Sequence, residues 1–168
     1  GEGADCTLNG LYSAAGEQHV DNQTSIDHAQ PHGTSQETYK GILDGKSTAV
    51  FNGKIIVRPD AQKTNARQIN KNLLLSDNAT VNTKPLLDIL ANDVKCNHGA
   101  TIGRLDENQI FYLRARGLGD KEARGLLTFA FANELLSRMK WKPFCLRFQE
   151  KLFNSLTHRH LPALEEIL

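Results

Sequence analysis

The chain has 168 residues, with 20 basic and 19 acidic side chains and a formal net charge of +1. A balance this close to neutral argues against a general nucleic-acid-binding protein, and no apolar run approaches the length of a membrane span. Three cysteines without regular spacing do not form a disulfide framework and fit a reducing compartment. We therefore expect a globular core that needs no disulfides.

The first part of the chain, residues 1 to about 104, is rich in short strand-like runs. Gly, Asn, Asp or Pro separate them, which are the residues that turns favour; the runs are Thr7–Tyr12, Ser47–Phe51, Lys54–Val57 and Lys71–Leu75. Many brief strands predict a sandwich, a barrel or a solenoid. Asparagines recur between Asn52 and Asn97 and favour a solenoid, because stacked coils can form ladders of such side chains at their corners. The start at Gly1, without a methionine, suggests that an N-terminal part is missing.

A polar segment from Gly16 to Gln36 has the composition of a loop. It combines imidazoles with carboxylates, which are good ligands for several metals: Glu17, His19, Asp21, Asp27, His28 and His32. The spacings match no standard motif. The segment is therefore either a metal site or a network of hydrogen-bonded polar groups on one face of the strands.

The stretch from Asp93 to Arg104 places a thiol and an imidazole two residues apart, at Cys96 and His98. On an extended strand, residues two apart point to the same face. A soft sulfur beside an imidazole nitrogen suits zinc, iron or an iron–sulfur species. A closed tetrahedral site needs four ligands, so this pair would need further ligands from elsewhere.

After this stretch the pattern becomes helical. Asp106 is placed to cap a helix, with Gln109 at the capping-box position, and Gly117 stands where that helix should end. A second helix is expected with Asp120 as its N-cap; its apolar stripe comprises Ala123, Leu126, Leu127, Ala130, Phe131, Leu135 and Met139.

Pro143 either interrupts this pattern or begins a third helix in its first turn. The aromatic side chains of this region, with Trp141, either form its own core or dock a partner. The expected organisation is a β body over residues 1–104 and a helical domain over residues 105–168. The chain has no phosphate-binding loop, no Gly-x-Ser-x-Gly nucleophile motif and no Cys-x-x-Cys pair, so no conventional enzyme is indicated.

Several strings resemble the SufB/SufD family of iron–sulfur cluster assembly proteins, in order and over roughly residues 7 to 140. They span residues 16–22, 27–37, 39–45, 61–66, 72–76, 93–103 and 111–117. The resemblance is nearer to SufD, because Gly99 follows His98 where SufB-like sequences have an acid. It implies a right-handed parallel β-helix, a single-stranded solenoid, followed by a small C-terminal helical domain. It also implies a location in a bacterial cytoplasm or a plastid stroma.

The resemblance further implies a non-catalytic scaffold subunit. Its β-helix would pair with a SufB-like paralogue, and its C-terminal helices would bind a SufC-like ATPase. A transient iron–sulfur cluster or iron would be shared at the paralogue interface, with His98 and Cys96 as ligands on this side and none bound stably by this chain alone. The ATPase contact would centre on residues 111–134, with four exposed candidates: Arg114, Arg116, Asp120 and Arg124.

Two other readings of the residues remain open. One is a self-contained metal-binding β-solenoid protein that uses His19, His28, His32 and His98. The other is a solenoid that acts on carbohydrate through Glu17, Asp21 and Asp27, which would need two carboxylates at a set separation. In isolation, an exposed β-helix edge would also allow two copies of the chain to pair.

Overall fold

A computed structural model describes residues 1–157, and the chain divides into two compact units, Gly1–Gly103 and Arg104–Leu168. Residues 158–168 of the expected helical domain lie outside the described part. The first unit consists of β-strands: β1 (Asp5–Ala14), β2 (His19–His28), β3 (Thr34–Leu43), β4 (Thr48–Val57), β5 (Asn65–Leu74), β6 (Thr80–Ile89) and β7 (Lys95–Gly103). The second contains the helices α1 (Glu107–Ala115), α2 (Asp120–Leu136) and α3 (Lys142–Thr157).

The strands form two parallel sheets, in which each strand pairs with the strand two places away in sequence. One sheet has the order β1-β3-β5-β7 and the other β2-β4-β6. The chain therefore runs along one sheet, turns, runs along the other and returns one layer further on. In the first sheet, Thr34 pairs with Asp5 on one side and with Asn65 on the other. This arrangement is a parallel β-solenoid of about three turns followed by helices, as expected from the sequence.

The interior of the solenoid has apolar regions at its two corners. Alternate residues of each strand point inward. At one corner Ile55 and Val57 pack with Ala61, Ala66 and Ala91, and at the other corner a second cluster contains Leu43, Ala49 and Ala79. These two clusters hold the sheets together by burying apolar surface.

Between the two corners the interior is mixed: the buried Phe51 ring packs against Tyr39 with ring centroids 5.1 Å apart, and polar side chains lie beside it. Four buried side chains from β3 and β5, here called the polar band, occupy this zone: Glu37, Gln68, Asn70 and Asn72. The asparagine ladder expected at the corners is therefore wrong for Asn70 and Asn72, which lie within β5 and point inward. A solenoid tolerates inward polar side chains, because the backbone N–H and C=O groups of each strand are hydrogen-bonded to the neighbouring strands whatever the side chains are.

Two strand assignments made from the sequence are also wrong. The polar segment Gly16–Gln36 is not a loop but consists mainly of β2 and the start of β3. The outward positions of β2 are polar, and so are the inward Asn22 and Thr24. An alternation of apolar and polar residues therefore does not mark this strand in the sequence. The runs Ser47–Phe51 and Lys54–Val57 form the single strand β4. Gly53 faces the interior of this strand. A larger residue does not fit there, because its side chain would overlap the Gln68 amide and the Phe51 ring.

The expected N-cap is confirmed for the first helix and is wrong by one residue for the second. Asp106 caps α1 by accepting a 2.8 Å hydrogen bond from the Asn108 backbone N–H, and Gly117 follows the helix with φ +94°. The N-cap of α2 is Gly119 and not Asp120, because Asp120 is already helical. The Glu122 carboxylate accepts a 2.9 Å hydrogen bond from the Gly119 N–H and closes this end of the helix.

Pro143 lies in the first turn of α3, where its missing N–H costs no helical hydrogen bond. The apolar stripe of α2 is partly displaced from expectation: Ala130 is exposed and Phe131 half-buried, whereas Thr128 and Ala132 are buried. Among the helices within residues 1–157, none has the length and apolar character needed to cross a bilayer.

The aromatic side chains of the helical unit serve in two ways. Phe129 of α2 and Phe153 of α3 pack edge to face with ring centroids 5.2 Å apart. Trp141, Phe144 and Phe148 form an exposed row, with centroid distances of 5.6 and 4.6 Å between successive rings. The aromatics are therefore neither all core nor all surface.

Candidate functional site

The thiol and imidazole singled out from the sequence lie on the last strand of the first sheet. β7 pairs with β5, so that Cys96 lies beside Ala66 and His98 beside Gln68. Ala66 and Gln68 both point into the solenoid and are fully buried. Since in-register residues of parallel strands share a face, Cys96 and His98 lie on the inward face of β7.

The two side chains differ in exposure. Cys96 is half-buried and packs against the apolar cluster of Ile55, Val57 and Ala66. His98, two residues further along, is exposed at the end of the coil stack. The pair thus has one half-buried member and one exposed member on a single strand face.

Burial of Cys96 also affects its ionisation. Its pKa is raised chiefly by desolvation, which a backbone hydrogen bond with Ala66 partly opposes. Because the thiolate is the form that binds metals, this burial makes Cys96 a weaker metal ligand than an exposed thiol.

Directly beneath His98 lies a pair of hydrogen-bonded, buried side chains. The Gln68 Nε2 donates a 2.6 Å hydrogen bond to the Glu37 Oε2, and Glu37 and Gln68 are register partners on β3 and β5. The Gln68 Oε1 and the Glu37 Oε1 are buried without a hydrogen-bond partner. Sequence reasoning missed this pair, since Glu37 and Gln68 stand in polar strings that look like an exposed strand face.

The rest of the polar band is linked by further hydrogen bonds. The Tyr12 hydroxyl donates to the Asn72 Oδ1 at 2.6 Å, and the Asn72 Nδ2 donates to the Asn70 Oδ1 at 2.5 Å. Burial raises the pKa of Tyr12 to about 12. The phenol therefore stays protonated and keeps its role as a donor.

The three histidines of the polar segment lie in different environments. His19 is exposed with its Nδ1 2.6 Å from the Thr48 Oγ1, and His32 occupies a left-handed turn position. His28 is buried with its Nε2 2.9 Å from the Ser35 Oγ, and burial lowers its pKa. Within residues 1–157, no three His, Cys, Asp or Glu side chains come together as a metal site.

The carboxylates of the same segment have their own partners. Asp27 is paired with Arg58 at 2.6 Å, and the hydrogen bond from that guanidinium lowers the pKa of Asp27. Asp21 accepts a 2.7 Å hydrogen bond from the Gln23 Nε2. Asp27 is thus tied to a cation, and the polar segment has the properties of a hydrogen-bonded outer strand face.

In the helical unit, three of the four residues expected to contact an ATPase form one ion-pair network. The Arg124 Nε lies 3.0 Å from the Asp120 Oδ2, and its Nη2 lies 3.1 Å from Glu107. Arg114 approaches Asp120 at 3.6 Å. The network joins α1 to α2, although exposed ion pairs of this kind contribute little stability each.

The fourth residue, Arg116, lies in a different environment. Its guanidinium lies 4.9 Å from the centroid of the Tyr112 ring. Tyr112 and Phe111 are 56% and 72% exposed, respectively. These two aromatics belong to the expected contact range but were not singled out from the sequence, because a helical pattern alone does not tell an exposed ring from a core ring.

Comparison with known proteins gives consistent matches. Residues 1–131 match a family model described as SUF system FeS cluster assembly, SufBD core domain. The chain is 50% identical over 125 residues to an iron–sulfur cluster assembly SufBD family protein of Synechocystis sp., a match that covers 74% of this chain and 28% of that protein.

Two further relatives come from a bacterium and a plant. The iron–sulfur cluster assembly protein SufD of Escherichia coli is 41% identical over 140 residues, covering 83% of this chain and 33% of that protein. The chloroplastic protein ABCI7 of Arabidopsis thaliana is 42% identical over 132 residues, covering 78% and 28%, respectively. The chain thus spans a third or less of the length of these relatives.

Proposed function

Because this chain belongs to the SufB/SufD family of iron–sulfur cluster assembly proteins, on the SufD side of that family, we propose that it is part of a non-catalytic scaffold subunit. Membership of the family gives it a role in iron–sulfur cluster assembly. The finer proposal is that its solenoid pairs with a SufB-like paralogue, in a bacterial cytoplasm or a plastid stroma, and that the two subunits share a nascent cluster.

The observation that carries this proposal is the placement of Cys96 and His98 on one face of the terminal strand β7. Sulfur and imidazole ligands together suit iron and iron–sulfur species. Two ligands are half of a tetrahedral set, so a second protein surface has to complete it. An incomplete set on each side also suits a cluster that must leave after assembly.

The partial burial of Cys96 makes it a weaker metal ligand than an exposed thiol. Metal binding to a thiol releases its proton, and the raised pKa of Cys96 makes that release harder in the isolated chain. Iron held by ligands of a partner would bring the positive charge that favours the thiolate. Binding of iron and docking of the paralogue would then reinforce each other.

The test is anaerobic reconstitution with iron and sulfide, read by visible absorbance and elemental analysis. We expect colour when the chain is mixed with a SufB-like paralogue, and its loss with His98→Ala. The matched control is Asn97→Ala, which removes the neighbouring exposed side chain from the outer face of β7. Stoichiometric metal on the lone chain would instead favour the self-contained metal-binding protein, and full colour with His98→Ala would exclude His98 as a ligand.

For the ATPase, we propose a contact centred on Phe111, Tyr112 and Arg116 of the helical unit. Exposed aromatic rings beside an arginine are the composition typical of protein interfaces. Arg114, Asp120 and Arg124 would contribute indirectly, since their ion pairs link α1 to α2.

Charge reversal at Arg116 tests this contact. Arg116→Glu should abolish co-purification with a SufC-like ATPase, because it removes the cation that stacks on Tyr112 and puts a negative charge in its place. Arg138→Glu, at an exposed site beyond the end of α2, is the matched control and should retain binding. Equal binding by both variants would place the ATPase contact elsewhere.

A further inference from the structure

His98 stands at the end of a column of side chains that runs into the interior of the solenoid. Glu37 pairs in register with Gln68, and Gln68 pairs in register with His98. In-register strands of a parallel sheet are about 4.8 Å apart, so their inward side chains stack directly upon one another. The column therefore leads from a buried carboxyl group through a buried amide to the exposed imidazole.

The orientation of the Gln68 amide is fixed from two sides. The amide nitrogen faces Glu37, because the Gln68 Nε2 donates a 2.6 Å hydrogen bond to the Glu37 Oε2. On the opposite sheet, Gly53 leaves the space that the Gln68 Nε2 fills, since a Cβ there would overlap it. The amide oxygen is consequently directed away from Glu37.

That oxygen, the Gln68 Oε1, is buried and has no hydrogen-bond partner. A buried acceptor without a partner is costly, and the next side chain in the column is an imidazole with an N–H to donate. Histidines that ligate metals usually donate their other ring N–H to such an acceptor, which fixes the ring and its tautomer.

We propose that Gln68 is a positioning residue for His98: its Oε1 accepts a hydrogen bond from one ring nitrogen, directly or through one water, and leaves the other nitrogen to bind iron. Glu37 acts one step further away by preventing the amide from flipping. The role of iron rests on the proposed function, whereas the hydrogen bond to His98 does not depend on it.

The first test is nitrogen NMR of the whole chain with ¹⁵N-labelled histidine, in which His98→Ala identifies the His98 signals. We expect one hydrogen-bonded ring N–H in the native chain and its loss in Gln68→Met, which removes donor and acceptor at similar volume. Asn72→Leu is the matched control, because it removes a buried amide from the same strand but faces Ile102 and not His98. It should leave the His98 signals unchanged.

Gln68→Met leaves Glu37 buried without its partner and could fail to fold. The double variant Glu37→Met/Gln68→Met avoids this, because replacing both members of a buried pair by apolar groups leaves neither unpaired. It should fold and show the same loss of the His98 hydrogen bond. Unchanged His98 ring signals in the folded double variant would overturn the proposal.

The second readout is iron affinity of the chain mixed with a SufB-like paralogue. Loss of a group that orients a ligand typically weakens metal binding by about 10–100-fold, and we expect this for the double variant but not for Asn72→Leu. If His98→Ala abolishes cluster formation while the double variant keeps native ring signals and affinity, the positioning role fails and the scaffold function stands. If the ring signals change but His98→Ala leaves cluster formation intact, the hydrogen bond is supported and the ligand role of His98 fails.

Discussion

The interior of the solenoid has two regions that stabilise it by different means, and β5 passes through both. Ala66 packs into an apolar corner with Ile55 and Val57. Gln68, two residues later on the same face, is held by a hydrogen bond to Glu37. Apolar burial is non-directional, whereas a buried hydrogen bond fixes the orientation of the groups that make it.

The two members of the candidate ligand pair divide between these regions. Cys96 packs against the apolar corner, which holds it in place and raises its pKa. His98 lies in register with Gln68 of the polar band, whose Oε1 is a buried hydrogen-bond acceptor without a partner. The corner therefore holds the site by apolar packing, and the polar band supplies direction.

The largest effect should follow from damage to the apolar corner. Ile55→Ala should lower the free energy of unfolding by about 2–5 kcal/mol, because it leaves a cavity among fully buried side chains. Ile56→Ala is the matched control, since the same side chain is removed from the outer face of the same strand; it should cost about 1 kcal/mol or less. Chemical denaturation measures both, and equal losses would mean that the corner is not the main source of stability.

A smaller effect is expected in the polar band. Glu37→Met should lower the free energy of unfolding by about 1–3 kcal/mol, because it leaves the buried Gln68 Nε2 without an acceptor. Glu37→Met/Gln68→Met should cost less than the sum of the single variants, and a double-mutant cycle gives the coupling. Additive losses would show that the pair contributes through packing alone, which would remove the contrast between the two regions.

Some features of the fold could be predicted from local residue patterns. Asp106 as a cap and Gly117 after the first helix both depend on nearest-neighbour chemistry. The strands, in contrast, are longer than the short runs that predicted them, as β4 shows. The polar strand β2 could not be predicted in this way, because its pairing with β4 is a contact between residues far apart in sequence. The break expected between the runs Ser47–Phe51 and Lys54–Val57 was wrong for the same reason, since the role of Gly53 depends on Gln68 across the interior.

For the candidate site, the sequence could indicate which residues share a strand face but not what lies beneath them. The spacing of Cys96 and His98 is sufficient to place both on one face of β7. Nothing in the strings around Glu37 and Gln68 distinguishes an inward polar residue from an outward one, because both faces of these strands are polar. The acceptor beneath His98 appears only once the register of three strands is known.

Because β7 lies at the end of its sheet, it should open locally more easily than the strands inside the sheet. Within the first sheet, β5 is bonded to strands on both sides, whereas β7 is bonded to β5 alone. In stacked architectures stability passes from neighbour to neighbour, so a terminal strand opens at a lower free energy than an internal one. Any molecule that packs against β7 therefore also suppresses the fraying of the strand that carries Cys96 and His98, so that its recognition and the alignment of these two candidate ligands become one cooperative event.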